Sequence, residues 1–202
     1  MPVPRIFIAD MDAPNAFATG RDPARGVLCF TRGILSTLSE REMRGVISHE
    51  LAHIKNRDTL LMTITASIAS TIMMLSSMAR WAAMFGGGSR DREGTSGSNL
   101  ISLIVISVIA PLAAMLIQMA ISRSREYMAD ESGAKMTGDP EGLATALLDM
   151  TKKAGLSDVS ANPQTALLFI VSPFGKLGMI TNLFSTHPPV EERVKRLRSM
   201  TS

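Results

Sequence analysis

Ser39-Glu40-Arg41-Glu42-Met43-Arg44-Gly45-Val46-Ile47-Ser48-His49-Glu50-Leu51-Ala52-His53 is the stretch on which the reading of this chain turns. Its first residues carry a capping-box pattern, a serine followed three positions later by a glutamate, which satisfies orphan N–H groups at a helix start. The spacing predicts a helix beginning near Ser39. Met43, Val46, Ile47, Leu51 and Ile54 then recur at three- and four-residue intervals and mark one apolar stripe facing a core. His49 and His53 fall inside this helix at i and i+4, so both imidazoles share a face and can reach one tetrahedral Zn²⁺. They are two of the 3 histidines in the chain. Glu50 completes an H-E-x-x-H motif, placed as a general base beside the metal. Two histidines four apart also occur as a solvated pair or as a core pair satisfied by backbone carbonyls; the glutamate between them favours metal.

Outward from this helix the chain is apolar on one side and strand-like on the other. Arg5-Ile6-Phe7-Ile8-Ala9 and Gly26-Val27-Leu28-Cys29-Phe30 read as strands, with Asn15 to Thr19 as a short edge strand. Beyond His53, no charged residue occurs from Thr59 to Ala79, a run that covers about 31 Å at helical rise against a bilayer core of roughly 30 Å. Gly94 to Ser122 is again uncharged, and Leu100 to Ile121 is rich in Ile, Leu, Val and Met. Gly86-Gly87-Gly88-Ser89 through Gly97-Ser98-Asn99 connects the two as a Gly/Ser-rich loop. The pair reads as a transmembrane helical hairpin in the lipid bilayer, with a buried hairpin of a helical protein as the alternative. Thr63, Thr65, Ser67, Ser70 and Thr71 lower the hydropathy of the first span and point to a packed face. Pro111 predicts a kink in the second, tolerable where a neighbour satisfies the freed carbonyl. Lys55, Arg57, Arg123 and Arg125 border the outer ends of the hairpin and favour cytoplasmic termini.

The expected organisation is therefore residues 1–58 as one half of a domain, 59–122 as the inserted hairpin and 123–202 as the other half. The fold class is α+β and mainly α, with a small N-terminal antiparallel sheet. At 202 residues the chain can bury a real core. A formal charge of +3, without arginines interleaved with aromatics, gives no reason to expect nucleic acid. Cys29, alone in its type and set in an apolar run, reads as a buried strand thiol. The start of the chain lacks the basic region and apolar core of a signal peptide.

A zinc hydrolase needs a third protein ligand and one open position. Glu126 and Asp130 stand at i and i+4 just past the second span, so both carboxylates can face the same way. Glu126 could bind zinc and Asp130 could orient a ligand histidine, a support that fixes the imidazole tautomer; a solvated face with Arg–Glu pairing is the other reading. A hairpin would return His53, about 9 Å before the first span, and Glu126, about 6 Å after the second, to similar height. His187 precedes Pro188-Pro189 at the start of a helix whose apolar stripe is Val190, Val194 and Leu197, where a histidine can also cap or pack. Ala166 to Val171 is too short for periodicity to decide between strand and helix.

The chain resembles the HtpX-type membrane zinc metalloproteases, a heat-shock family related to the eukaryotic CAAX prenyl proteases. The likeness rests on Asn15-Ala16-Phe17-Ala18-Thr19-Gly20, on His49 to His53 followed by Asn56-Arg57-Asp58, on Glu126-Tyr127-x-Ala129-Asp130, and on Ser185-Thr186-His187-Pro188-Pro189 with Glu192-Arg193. It implies a zincin-like catalytic domain with Glu126 as third zinc ligand, Glu50 as base, and His187 with Arg193 near the substrate or the oxyanion. It implies that Asn15, Ala16, Phe17 and Ala18 form an active-site edge that binds extended peptide. It further implies a multi-pass protein of a bacterial or archaeal plasma membrane, catalytic domain toward the cytoplasm, that cleaves misfolded or damaged membrane proteins under stress. Members usually carry two membrane spans before the catalytic part, whereas here the first strand follows almost directly on Met1. The rival expectation is a non-catalytic, zinc-stabilised binding or holdase module in the membrane. A structural site would want four protein ligands and no base.

Overall fold

The structure, a computed structural model, describes residues 1–85, 105–154 and 187–200. They fall into two units: Met1–Leu60 together with Ser122–Ser202, and the intervening Leu61–Ile121. The Gly/Ser-rich loop, the start of the second apolar run, the Ala166–Val171 stretch and Ser185-Thr186 lie outside the described residues.

The first unit holds a sheet of β1 (Arg5–Ala9), β2 (Ala16–Thr19) and β3 (Val27–Thr31) in the order β1-β3-β2. β2 pairs antiparallel with β3, Ala16 opposite Phe30. β1 pairs with β3 in parallel, Arg5 opposite Val27 and Ala9 opposite Thr31. The sheet is therefore mixed, a correction to the antiparallel sheet expected from sequence. The cause is connectivity: the chain reverses after β1 and again after β2, so β3, entering between them, runs the same way as β1. The second reversal is a tight 3-10 turn at Pro23–Arg25, whose N-cap Asp22 accepts the N–H groups of Ala24 and Arg25 at 3.0 and 3.1 Å.

β3 passes straight into α1 (Arg32–Thr37), because the Thr31 hydroxyl caps it by accepting the Ile34 N–H at 3.2 Å. The capping box at Ser39 forms as the sequence predicts. Ser39 N–H donates to Glu42 Oε2 at 2.8 Å, the Glu42 N–H donates back to Ser39 Oγ at 3.4 Å, and α2 runs Glu40–Lys55. Its apolar stripe lands on the core: Val46 and Ile54 are buried, and Met43, Ile47 and Leu51 pack against the same cluster. Phe30 and Ile34 supply the sheet side of that core, and the helices that follow supply the rest. α3 covers Asp58–Phe85, α4 Ala110–Thr137, α5 Pro140–Ala154 and α6 Val190–Ser199. Ala134 of α4, Leu143 and Leu147 of α5 and Leu197 of α6 close the core. Ion pairs at the rim fix register more than they stabilise. Arg41 on α2 grips Asp139, Arg198 on α6 reaches Glu141 at 2.8 Å, and the Arg196 guanidinium lies 3.7 Å over the Tyr127 ring.

The second unit is built from the rest of α3 and the start of α4. Both helices are long and apolar enough to cross a membrane, over Asp58–Ala82 and Val105–Thr137. Most of their large side chains point outward, among them Ile68, Met74, Trp81, Val108, Leu112 and Ile117, while Ala69, Ser76, Ala114 and Met119 are buried. Four hydroxyls of the first span are satisfied inside its own helix. Thr65, Ser67, Thr71 and Ser76 each donate to the carbonyl four residues earlier, at 2.7 to 2.9 Å. Before Pro111 the helix widens into a π turn at Val105–Ile109. Proline has no N–H for the carbonyl of Ser107 four residues back, and Arg80 Nη1 from the other helix donates to that oxygen at 2.8 Å.

Candidate metal centre

Helix α2 presents His49 and His53 on one face, and α4 brings Glu126 to them. The two Nε2 atoms stand 3.1 Å apart. Glu126 Oε2 is 3.6 Å from His49 Nε2, and its Oε1 is 3.6 Å from His53 Nε2. A tetrahedral zinc with bonds of about 2.0–2.1 Å sets its donors about 3.3 Å apart, so the two nitrogens and a carboxylate oxygen of Glu126 suit one ion. Buried Glu126 Oε2 makes no hydrogen bond, and the charged group of Arg193 lies 3.3 Å from it, so a lone pair remains for such a ligand bond. Among the described residues, three side chains form this cluster, the number that leaves a tetrahedral position open.

The outer nitrogen of each imidazole faces a carboxylate. His49 Nδ1 lies 2.9 Å from Asp130 Oδ1, without hydrogen-bond geometry. His53 Nδ1 lies 2.7 Å from Asp58 Oδ2. Burial alone would lower the pKa of His53, but the hydrogen bond to Asp58 and the charges of Glu126 and Glu50 carry it up to about 9. Each supporting carboxylate is in turn held by an arginine. Arg193 donates from Nε to Asp130 Oδ2 at 2.8 Å and from Nη2 to Oδ1 at 2.7 Å, a bidentate pair. Its Nη1 also lies 3.3 Å from Glu126 Oε2. Arg193 is wholly buried; burial opposes its charge, but Asp130, then Glu126 and Glu50, raise its pKa above the ordinary value. Asp58 is held in the same manner by Arg125, whose Nε and Nη2 both reach Oδ1.

Glu50 is buried on α2 beside His49. His187 stands just ahead of α6 with Nδ1 3.6 Å from Glu126 Oε1; the N-cap of that helix is Pro189, with no side-chain cap. Seven of the residues picked from sequence thus converge: His49, Glu50, His53, Glu126, Asp130, His187 and Arg193. Asn15 to Ala18 lie at the start of and along β2, an edge strand that packs on α2. Asn15 and Ala16 are buried, and the Asn15 N–H is taken by Thr31 Oγ1 at 2.9 Å, so Phe17 and Ala18 are the more exposed part of that edge. Sequence reasoning gives Asp58 and Arg125 no place in the site. Their only signal is position: Asp58 follows the motif within a few residues, and Arg125 immediately precedes Glu126.

Residues 1–201 match the profile of Peptidase family M48. The chain belongs to that family. Among its relatives is a protein described as a protease HtpX homolog from Desulforapulum autotrophicum, 56% identical over 198 residues, covering 98% of this chain and 63% of that one. Another of the same description, from Thermococcus kodakarensis, is 50% identical over 201 residues, covering 99% of this chain and 68% of that one. This M48 chain thus spans less than two thirds of the Desulforapulum relative's length. A crystal structure of S. mikatae Ste24p matches with a TM-score of 0.58 at 22% identity, over 95% of this chain and 44% of the other. At that identity the likeness is one of fold: a mainly helical, zincin-like domain with a small sheet and two apolar helices. The three side chains that could hold a metal ion, His49, His53 and Glu126, all lie within the M48 match.

Proposed function

We propose that the chain is a membrane-integrated zinc endopeptidase. The observation that carries this reading is the convergence of His49 Nε2, His53 Nε2 and Glu126 at ligand spacing with buried Glu50 alongside. His49, His53 and Glu126 would hold the ion. When bound, zinc supplies Lewis-acid chemistry, lowering the pKa of a water molecule to about 7 and stabilising negative charge on a carbonyl oxygen. Glu50 takes the proton of the attacking water and later returns it to the leaving amine. Asp130 keeps the His49 ring oriented, and Arg193, buried and bidentate on Asp130, serves as a positioning residue. His187, beside Glu126 and partly exposed, is the side chain best suited to touch substrate or its oxyanion.

The substrate in this reading is an extended polypeptide that adds to the free edge of β2, so that affinity comes from backbone pairing and tolerates many sequences. Such tolerance suits the clearance of misfolded membrane proteins. The exposed apolar faces of α3 and α4 support two passes through a bilayer, and the basic residues at the outer ends support a cytoplasmic centre in a bacterial or archaeal plasma membrane.

Metal analysis and cleavage of an unfolded protein substrate, in wild type and Glu50→Gln, test the proposal. The expected result is unchanged zinc content with cleavage reduced about 10²- to 10⁴-fold in the variant, the range of a lost general base. Full activity in Glu50→Gln would remove this glutamate from the mechanism, and a wild type that binds metal but cleaves nothing would leave a zinc-stabilised module.

A further inference from the structure

We propose that Asp58 and Arg125 are positioning residues that aim His53 at the metal and set its register with Glu126, a role that rests on the zinc site proposed above. Asp58 is not on the helix that carries the histidines. On an uninterrupted helix of about 3.6 residues per turn, a residue five positions after His53 would point well away from it. The chain is interrupted at that point. Asn56 closes α2, and Arg57 takes a left-handed conformation with φ of 57°, uncommon outside glycine. That turn folds Asp58, the first residue of α3, back onto the His53 ring.

The contacts on Asp58 give each oxygen its own task. Oδ2 lies 2.7 Å from His53 Nδ1, and Oδ1 accepts from Arg125. A carboxylate can only accept in this pair, so Nδ1 keeps its proton and Nε2, turned toward His49 and Glu126, is the atom left to offer a lone pair once it is deprotonated. Asp58 is 5% exposed. A buried carboxylate is costly without charged or hydrogen-bonding partners, and the Arg125 guanidinium and the His53 ring are the partners Asp58 has there. Arg125 also reaches the Asn56 carbonyl at 3.4 Å, bracing the turn itself. Because Arg125 is the residue before Glu126, the brace on the second ligand is delivered by the segment that carries the third. The arrangement repeats the His49–Asp130–Arg193 relay on the other imidazole with residues from different elements.

Cobalt(II) and zinc titrations of the purified full chain in detergent read this role without reference to proteolysis. The visible spectrum of cobalt reports ligand geometry, and a chromophoric chelator in competition gives zinc affinity. Asp58→Ala is expected to raise the zinc Kd about 10- to 100-fold, the usual loss on removing a carboxylate that supports a ligating histidine, and to alter the cobalt spectrum. Asp58→Asn, which keeps an acceptor for Nδ1, should recover part of the affinity. Arg125→Gln should weaken metal in the wild-type background and weaken it less in the Asp58→Asn background, because its shortest contacts are with Asp58. The Asp58→Asn/Arg125→Gln pair leaves no lone buried charge and so keeps the test open should Asp58→Ala fail to fold. An Asp58→Asn/Arg125→Gln protein with wild-type Kd and cobalt spectrum would overturn this proposal alone. A folded wild type that takes up neither metal would overturn the zinc site and this role with it.

Discussion

His53 joins proton chemistry to metal chemistry. With its pKa carried up to about 9, the ring is protonated at neutral pH in the metal-free protein. A ligand must offer a lone pair, so binding has to expel that proton. Zinc affinity should therefore climb as pH rises toward about 9 and then level off. Titration calorimetry at pH 7 in two buffers of different ionisation heat should show close to one proton released per ion. A folded-state pKa above the unfolded value near 6.5 also means that His53 stabilises the metal-free fold below about pH 6.5, a contribution lost as pH passes through about 9. Thermal melts of chelated protein should weaken over that window. An affinity that stays flat from pH 6.5 to 9 would rule out the coupling. Sequence offers Asp130 as a candidate imidazole support and hides Asp58 for a physical reason. Asp130 sits i, i+4 from Glu126 on a single helix, so helical geometry alone predicts its direction. Asp58 reaches His53 only because Arg57 turns left-handed, and nothing in an arginine codes for that.

At the scale of elements, two glycines determine how closely the site helices approach. A Cβ on Gly133 of α4 would lie 2.9 Å from the His49 backbone nitrogen, and one on Gly45 of α2 would lie 2.7 Å from the Leu143 nitrogen on α5. Both meet backbone, which cannot yield as a flexible side chain does. Overpacking of this kind costs about 1–3 kcal/mol. Gly45→Ala and Gly133→Ala should both lower the melting temperature, but their effects on metal should differ. Gly133→Ala pushes α4 from α2 at His49 itself and should weaken cobalt binding beyond its loss of stability; Gly45→Ala presses on α5, away from the ligands, and should leave the cobalt spectrum intact. Equal losses of metal in the two would contradict this division. The capping box and apolar stripe make α2 legible in the sequence, since both are local patterns. The mixed sheet is not, because strand direction depends on where β3 inserts, a long-range choice that alternation in β1 and β3 does not encode. A helical glycine likewise reads as a weak spot until the neighbour across from it is known.

For the molecule as a whole, the sequence pattern of two uncharged runs and the exposure of their large side chains point the same way. Ile68, Met73, Met74, Leu75, Met78 and Trp81 on α3, with Val108, Leu112, Leu116 and Ile117 on α4, face outward. Monomeric soluble proteins rarely expose a contiguous apolar surface beyond a few hundred Å². Hydrocarbon accepts this surface if the backbone is satisfied, and here it is met even at its weakest point, where Arg80 serves the carbonyl that Pro111 leaves over. If the runs cross a bilayer, a charge at mid-span should be costly in a way that a surface charge is not. Leu112→Lys places an ammonium near the centre of the second run, where insertion is penalised by about 2.5–3.5 kcal/mol. The wild-type protein should stay with membranes through alkaline carbonate washing, and Leu112→Lys should release a substantial fraction. Lys substituted for exposed Thr19 on β2 adds the same charge outside both runs and should release none. Equal retention of all three would place Leu112 outside the hydrocarbon, and release of the wild type would mean that α3 and α4 bury their apolar faces against protein instead.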